Sequence, residues 1–170
     1  MQARTQQVNV LAVVALGLVV VLAGTMLAQS SRPTNIGSWM LNVAKSNVVA
    51  GTAALSKSAT FTVEVAGEGA KVTVDSVAAD DTVRHWAYTA NYDGKDYPIT
   101  GNCQYGDVVA VTRVDDNTTS SIYKQGGKVT ITQNAVVSAD RKTMTITGTG
   151  TNSLGQTVNS VAVYDRLKAA

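Results

Sequence analysis

Residues 59–77 read Ala59-Thr60-Phe61-Thr62-Val63-Glu64-Val65-Ala66, then Gly67-Glu68-Gly69, then Ala70-Lys71-Val72-Thr73-Val74-Asp75-Ser76-Val77. Phe61, Val63 and Val65 alternate with Thr62 and Glu64, and Val72 and Val74 alternate with Lys71, Thr73 and Asp75. A period of two puts the apolar set on one face of an extended chain, whereas a helix needs a period near 3.6. Two such runs joined by a Gly-Glu-Gly turn predict an antiparallel hairpin with one face toward a core.

The pattern continues on both sides of this hairpin. Upstream, a short strand is expected around Ser38–Val43, followed by Ala44–Ser58 as a loop or one or two helical turns. Downstream, strands are expected over Thr82–Tyr92, Tyr97–Thr100, Asp107–Val114, Thr118–Lys124, Lys128–Val137, Lys142–Thr149 and Thr157–Asp165. Between them lie turn residues such as Asp80-Asp81, Asp93-Gly94-Lys95, Asp115-Asp116-Asn117 and Gly126-Gly127. Pro98 suits a strand edge or end. The expectation is an all-β, up-and-down antiparallel meander barrel of about 8–10 strands, because closure removes the exposed edges a long meander would leave. A two-sheet sandwich fits the same periodicity, but its usual long crossings are missing after Ser58, where every connection is short.

The first 30 residues are a different object. Arg4 precedes a nearly unbroken apolar run over Val10–Val21, and small residues follow, which is the layout of a secretory signal helix. Residues 1–30 are therefore expected to be a signal peptide, cut after Ala28 or after Ser30, with 31–36 a flexible lead and 37–168 the barrel domain. The alternative is an uncleaved anchoring helix, since the run approaches the length of a membrane span. Cleavage would leave no stable membrane anchor and an exported protein, periplasmic or secreted. Without Arg4 the 14 basic residues fall to 13 against 12 acidic ones. Near neutrality, with no basic stripe, speaks against nucleic acid as a partner. The single cysteine, Cys103, excludes an internal disulfide, so the fold must stand on packing.

Gly37-Ser38-Trp39-Met40-Leu41-Asn42, with Lys45-Ser46 behind it, resembles the G-x-W opening strand of the calycin barrels, the lipocalins and fatty-acid-binding proteins. Ten strands with an interruption after the first are closer to the fatty-acid-binding type. His85-Trp86-Ala87-Tyr88, Tyr92–Gly101 and Val161-Ala162-Val163-Tyr164-Asp165 add a likeness to small exported bacterial lipocalin-like proteins. The resemblance implies a cavity-forming barrel with Trp39 plugging one end. It departs where fatty-acid-binding proteins carry an Arg-x-Tyr carboxylate clamp in the last strand: here those positions are Ala162 and Tyr164, and the cation is missing.

No catalytic set emerges. His85 is the only histidine, so a site of several imidazoles is impossible and metal ligation would fall to carboxylates. No G-x-S-x-G elbow occurs, and most aspartates sit at expected turns, where they cap backbone groups. We expect no enzyme activity, no metal and no cofactor. Arg84, Trp86 and Tyr88 share one strand face. Facing inward they would line a cavity with apolar contact plus one orienting polar group; facing outward they would form an aromatic patch for a protein partner. Arg113 and Tyr123 are secondary ligand-binding candidates. The functional expectation is carriage of a small apolar or amphipathic molecule; the alternative is an interaction or inhibitor-like module with a filled core.

Overall fold

The structure, a computed structural model, describes residues 33–168; the expected signal peptide and the first two residues of the lead lie outside them. The chain forms a closed, all-antiparallel meander barrel of ten strands. In order they are β1 (Gly37–Leu41), β3 (Ser58–Ala66), β4 (Gly69–Val77), β5 (Val83–Ala90), β6 (Asp93–Gly101), β7 (Val108–Arg113), β8 (Thr118–Gln125), β9 (Lys128–Val137), β10 (Thr143–Thr151) and β11 (Thr157–Arg166). Each pairs with the next, and β1 pairs back onto β11 through Trp39↔Arg166, Met40↔Asp165 and Leu41↔Tyr164. A two-residue strand, β2 (Asn47–Val48), continues β1 along the same edge of β11 after a 3-10 turn over Val43–Lys45. The interruption expected after the first strand is thus one short turn, this two-residue strand and a loop over 49–57. Among the described residues no helix is long and apolar enough to cross a membrane.

The pleat does what the alternation demands. Phe61, Val63, Val72 and Val74 face inward, and Thr60, Thr62 and Thr73 face out. Val65 shares the inner face yet is half exposed, because β1 covers β3 only as far as Gly37↔Val63. Connections alternate between two ends of the barrel. One end carries 49–57, 78–82, 102–107, 126–127 and 152–156. The other carries 67–68, 91–92, 114–117 and 138–142, together with the lead and the end of β11.

Two departures from the sequence reading cluster at β6. Asp93-Gly94-Lys95, expected as a turn, begins the strand. The turn chemistry is present all the same: Gly94 has φ +74°, the Lys95 amide donates to Asp93 Oδ1 at 3.1 Å, and the register against β7 slips between Asp93 and Asp96. A bulge of this kind keeps local turn geometry inside a strand. Toward β5, pairing is confined to Trp86↔Gly101, Ala87↔Thr100 and Tyr88↔Ile99. One more step would set Pro98 against Thr89, and proline has no N–H to donate, so the seam stops there. Gly101 is needed at its other end: at φ +88° a Cβ would lie 2.2 Å from the His85 carbonyl oxygen.

Trp39 is fully buried, and its Nε1 donates to the Asn35 carbonyl at 2.8 Å. Over the ring, at 3.9 Å, lies the guanidinium carbon of Arg166. The same guanidinium donates to the carbonyls of Thr34, Ile36 and Arg141 at 2.6, 2.7 and 2.6 Å. One side chain from the last strand therefore holds the lead, the first strand and the 138–142 turn together. The sequence reading assigned the plug to Trp39 and missed its partner.

Candidate site in the barrel interior

The interior is split into two chambers by Phe61, Gln133 and Ile146, which line both. The larger chamber lies toward the 49–57 end and leaves about 80 Å³ in which the centre of a water can move. The smaller, toward Trp39, leaves about 30 Å³. Buried Asn35 Oδ1 and Tyr92 Oη have no hydrogen-bond partner in the structure, and both residues line the smaller chamber, the kind of place a buried water serves.

The strand carrying Arg84, Trp86 and Tyr88 turns these residues inward. Trp86 and Tyr88 are buried, Arg84 is half-buried, and their neighbours Val83, His85 and Thr89 face out. Trp86 stacks beside Tyr88, 6.1 Å between centroids at 20°, and meets Tyr105 and Tyr123 edge-on at 6.2 and 6.1 Å. Tyr123 is 1% exposed. Burial raises the pKa of Tyr88, Tyr105, Tyr123 and Tyr164, so all four phenols stay neutral. Trp86 and Arg84 line the larger chamber; Tyr88 and Tyr123 line the smaller one. Arg113 stands at the far end of β7, where Nη2 pairs with Asp116 Oδ1 at 2.7 Å and Nε donates to the Asp115 carbonyl. The five candidates are thus divided between the chambers and the Trp39 end.

Residues that no motif or spacing singles out complete the larger chamber. Gln104 and Tyr105 come from the 102–107 loop, which is pinned across the mouth: the Ser153 amide and hydroxyl donate to the Gln104 carbonyl at 2.9 and 2.7 Å, and the Thr130 hydroxyl donates to the Tyr105 carbonyl. Ala53–Ser56 cover the opposite side, fastened by the Ala53 amide on the Thr157 carbonyl at 2.7 Å and by Lys57 Nζ on Asp81 Oδ1 at 2.6 Å. Ser56, Ser76, Gln133 and Ser160 add polar groups beside Arg84 and Gln104, so the wall is mixed, polar and apolar, rather than apolar.

Arg84 differs from every other arginine in the described residues. Arg113 and Arg166 are hydrogen-bonded as given above and Arg141 is exposed, whereas the side chain of Arg84, half-buried against the chamber, makes no hydrogen bond to protein and has no carboxylate within 4 Å. Its charge is felt by Asp80, Cys103 and Tyr105. Cys103, next to Tyr105 in the loop, has its thiol pushed up to about 11 by burial, which keeps it protonated and unreactive at neutral pH. His85 lies outside the barrel, with Nδ1 2.6 Å from Asp75 Oδ1 across the β4–β5 pair. Among the described residues no three His, Cys, Asp or Glu side chains converge to hold a metal ion.

No family model matches this chain, and no curated protein or solved structure matches it. Its class is given by architecture: an all-β, ten-stranded, antiparallel closed barrel, consistent with the calycin and fatty-acid-binding-protein type.

Proposed function

We propose that the protein is an exported, lipocalin-like carrier that binds a small amphipathic molecule inside the barrel without covalent chemistry. The observation that carries this reading is the larger chamber: Trp86, Phe61, Tyr105 and Tyr164 offer aromatic surface on one part of the wall, and Arg84, Gln104, Gln133 and several serines offer polar groups in comparable measure, the mixed lining an amphipathic molecule calls for. The aromatic rings of β5 lie inside rather than on the surface. That leaves the outer face without the aromatic patch an interaction module built on Trp86 and Tyr88 would use. Export follows from the layout of residues 1–30, and the reading includes removal of that segment.

The test is native mass spectrometry of the protein purified gently from its own host, with extraction and identification of anything that travels with it. It is paired with titration of tryptophan fluorescence against a panel of lipids and apolar dyes. Trp39→Phe leaves Trp86 as the one remaining indole of the chain's two, so a spectral change then reports the chamber. A stoichiometric small-molecule adduct is expected. A clean apo mass together with a flat fluorescence response across the panel would overturn the carrier reading and leave a protein partner as the better explanation.

A further inference from the structure

Resting on the carrier reading, we propose that the ligand is a compact ring-bearing organic acid whose anionic head is taken by Arg84. Three observations converge. The first is the guanidinium itself: Arg84 is half-buried and lines the chamber, and its five donor hydrogens have no protein acceptor and are left to solvent or a ligand. Such a group is best matched by a carboxylate, which meets its fork in two parallel hydrogen bonds. The second is where its charge acts: Tyr105, in the chamber wall, and Cys103 beside it both sense it, so the positive field extends to the lining of the chamber. Asp80, which also senses it, is exposed and engaged by the Thr82 amide at 3.0 Å.

The third observation is size. A free space of about 80 Å³ for water centres corresponds to roughly six waters, near 180 Å³ of liquid, which admits on the order of ten non-hydrogen atoms. Phe61, Gln133 and Ile146 close the floor, so a long acyl chain has nowhere to run. A single ring with a short acid arm fits, with the ring against Trp86 and Tyr105 and hydroxyls of Ser76 or Ser160 within the same lining. This places the head group on β5 at the 49–57 end rather than on the last strand, whose Ala162 and Tyr164 line the same chamber without a cation.

The test is isothermal titration of the protein purified from its host, stripped of any co-purified ligand. The titrants are benzoate, phenylacetate and cinnamate, their neutral amides, and hexadecanoate. Dissociation constants of order 100 μM or tighter are expected for at least one acid, with its amide at least tenfold weaker. Arg84→Gln should weaken the acid by about tenfold or more while leaving the amide within about threefold, at an unchanged melting temperature. Arg84→Lys should recover part of the acid's affinity. Hexadecanoate should not bind stoichiometrically. Amides binding as tightly as acids, or acids indifferent to Arg84→Gln, would overturn the anion assignment and leave the carrier reading intact. Tight stoichiometric hexadecanoate would overturn the size argument. No binding by any titrant, with a clean native mass, would overturn both proposals.

Discussion

Arg166→Met tests how much of the barrel's closure rests on one side chain. The guanidinium makes hydrogen bonds of 2.6–2.7 Å to three carbonyls and stacks on Trp39 at 3.9 Å. A hydrogen bond to a charged donor nets about 1.5–3 kcal/mol when both partners are dry, and a cation–π contact about 0.5–2 kcal/mol. Arg166 is only half-buried, and water can replace part of what the carbonyls lose, so the simple sum is too large. A loss of about 3 kcal/mol is the consistent figure, which for a domain of this size lowers Tm by roughly 8–15 °C. Thermal unfolding followed by tryptophan fluorescence reads it directly, because Trp39 sits under the group removed. Arg166→Lys keeps the charge but not the planar fork and should restore less than half of the loss. A methionine variant melting within about 3 °C of the parent would refute the clasp and assign closure to the β1–β11 ladder and Trp39 burial alone.

Phe61→Ala removes the floor between the chambers; it should cost about 2–4 kcal/mol in urea unfolding and admit ligands with longer chains, and a variant that still rejects them would show that Gln133 and Ile146 suffice as a barrier. Asp80, Asp93, Asp115, Asp140 and Asp165 are held below the usual carboxylate range, the first four mainly by hydrogen bonds at turns and Asp165 by Asn42 and Lys45. Because the folded values lie below the unfolded ones, this stabilisation is complete above about pH 4–5 and is lost as pH falls through the folded values. Tm should therefore drop between pH 5 and 3, and Asp115→Asn, which keeps the side-chain oxygen that accepts from the Asn117 amide, should make that drop shallower; an unchanged slope would locate acid sensitivity elsewhere.

The wall of the barrel was legible because burial on one face enforces a strict alternation, and a one-residue slip would expose every inward valine. The ten strands follow from it in outline, but the alternation left open whether the Trp86 and Tyr88 face points in or out, and only the closed barrel decides it. The start of β6 was not legible, since Asp93-Gly94-Lys95 carries real turn chemistry and only the ladder to β7 keeps it in a strand. Arg166 was missed for a different reason: its partners are carbonyls, which any sequence supplies, and a ring 127 positions away. Gln104, Gln133 and Ser160 have no spacing that sets them apart from surface residues. They become site residues only because the space left by the packed side chains falls beside them, and that volume is a property of packing rather than of pattern.

The proline at position 98 also divides the molecule. With β5 and β6 joined over just three residue pairs, the wall has its narrowest joint there; at the other closure β11 holds β1 over three pairs and β2 over two more. Between them lie one arc of four strands from Gly37 to Ala90 and another of six from Asp93 to Arg166, each internally laced over most of its length. A cylinder built this way opens like a hinged locket, its two shells parting along the joint with the fewest bonds while each shell stays whole. Hydrogen exchange should then run fastest beside the Pro98 joint, because amides at the least-paired seam are released by the smallest opening.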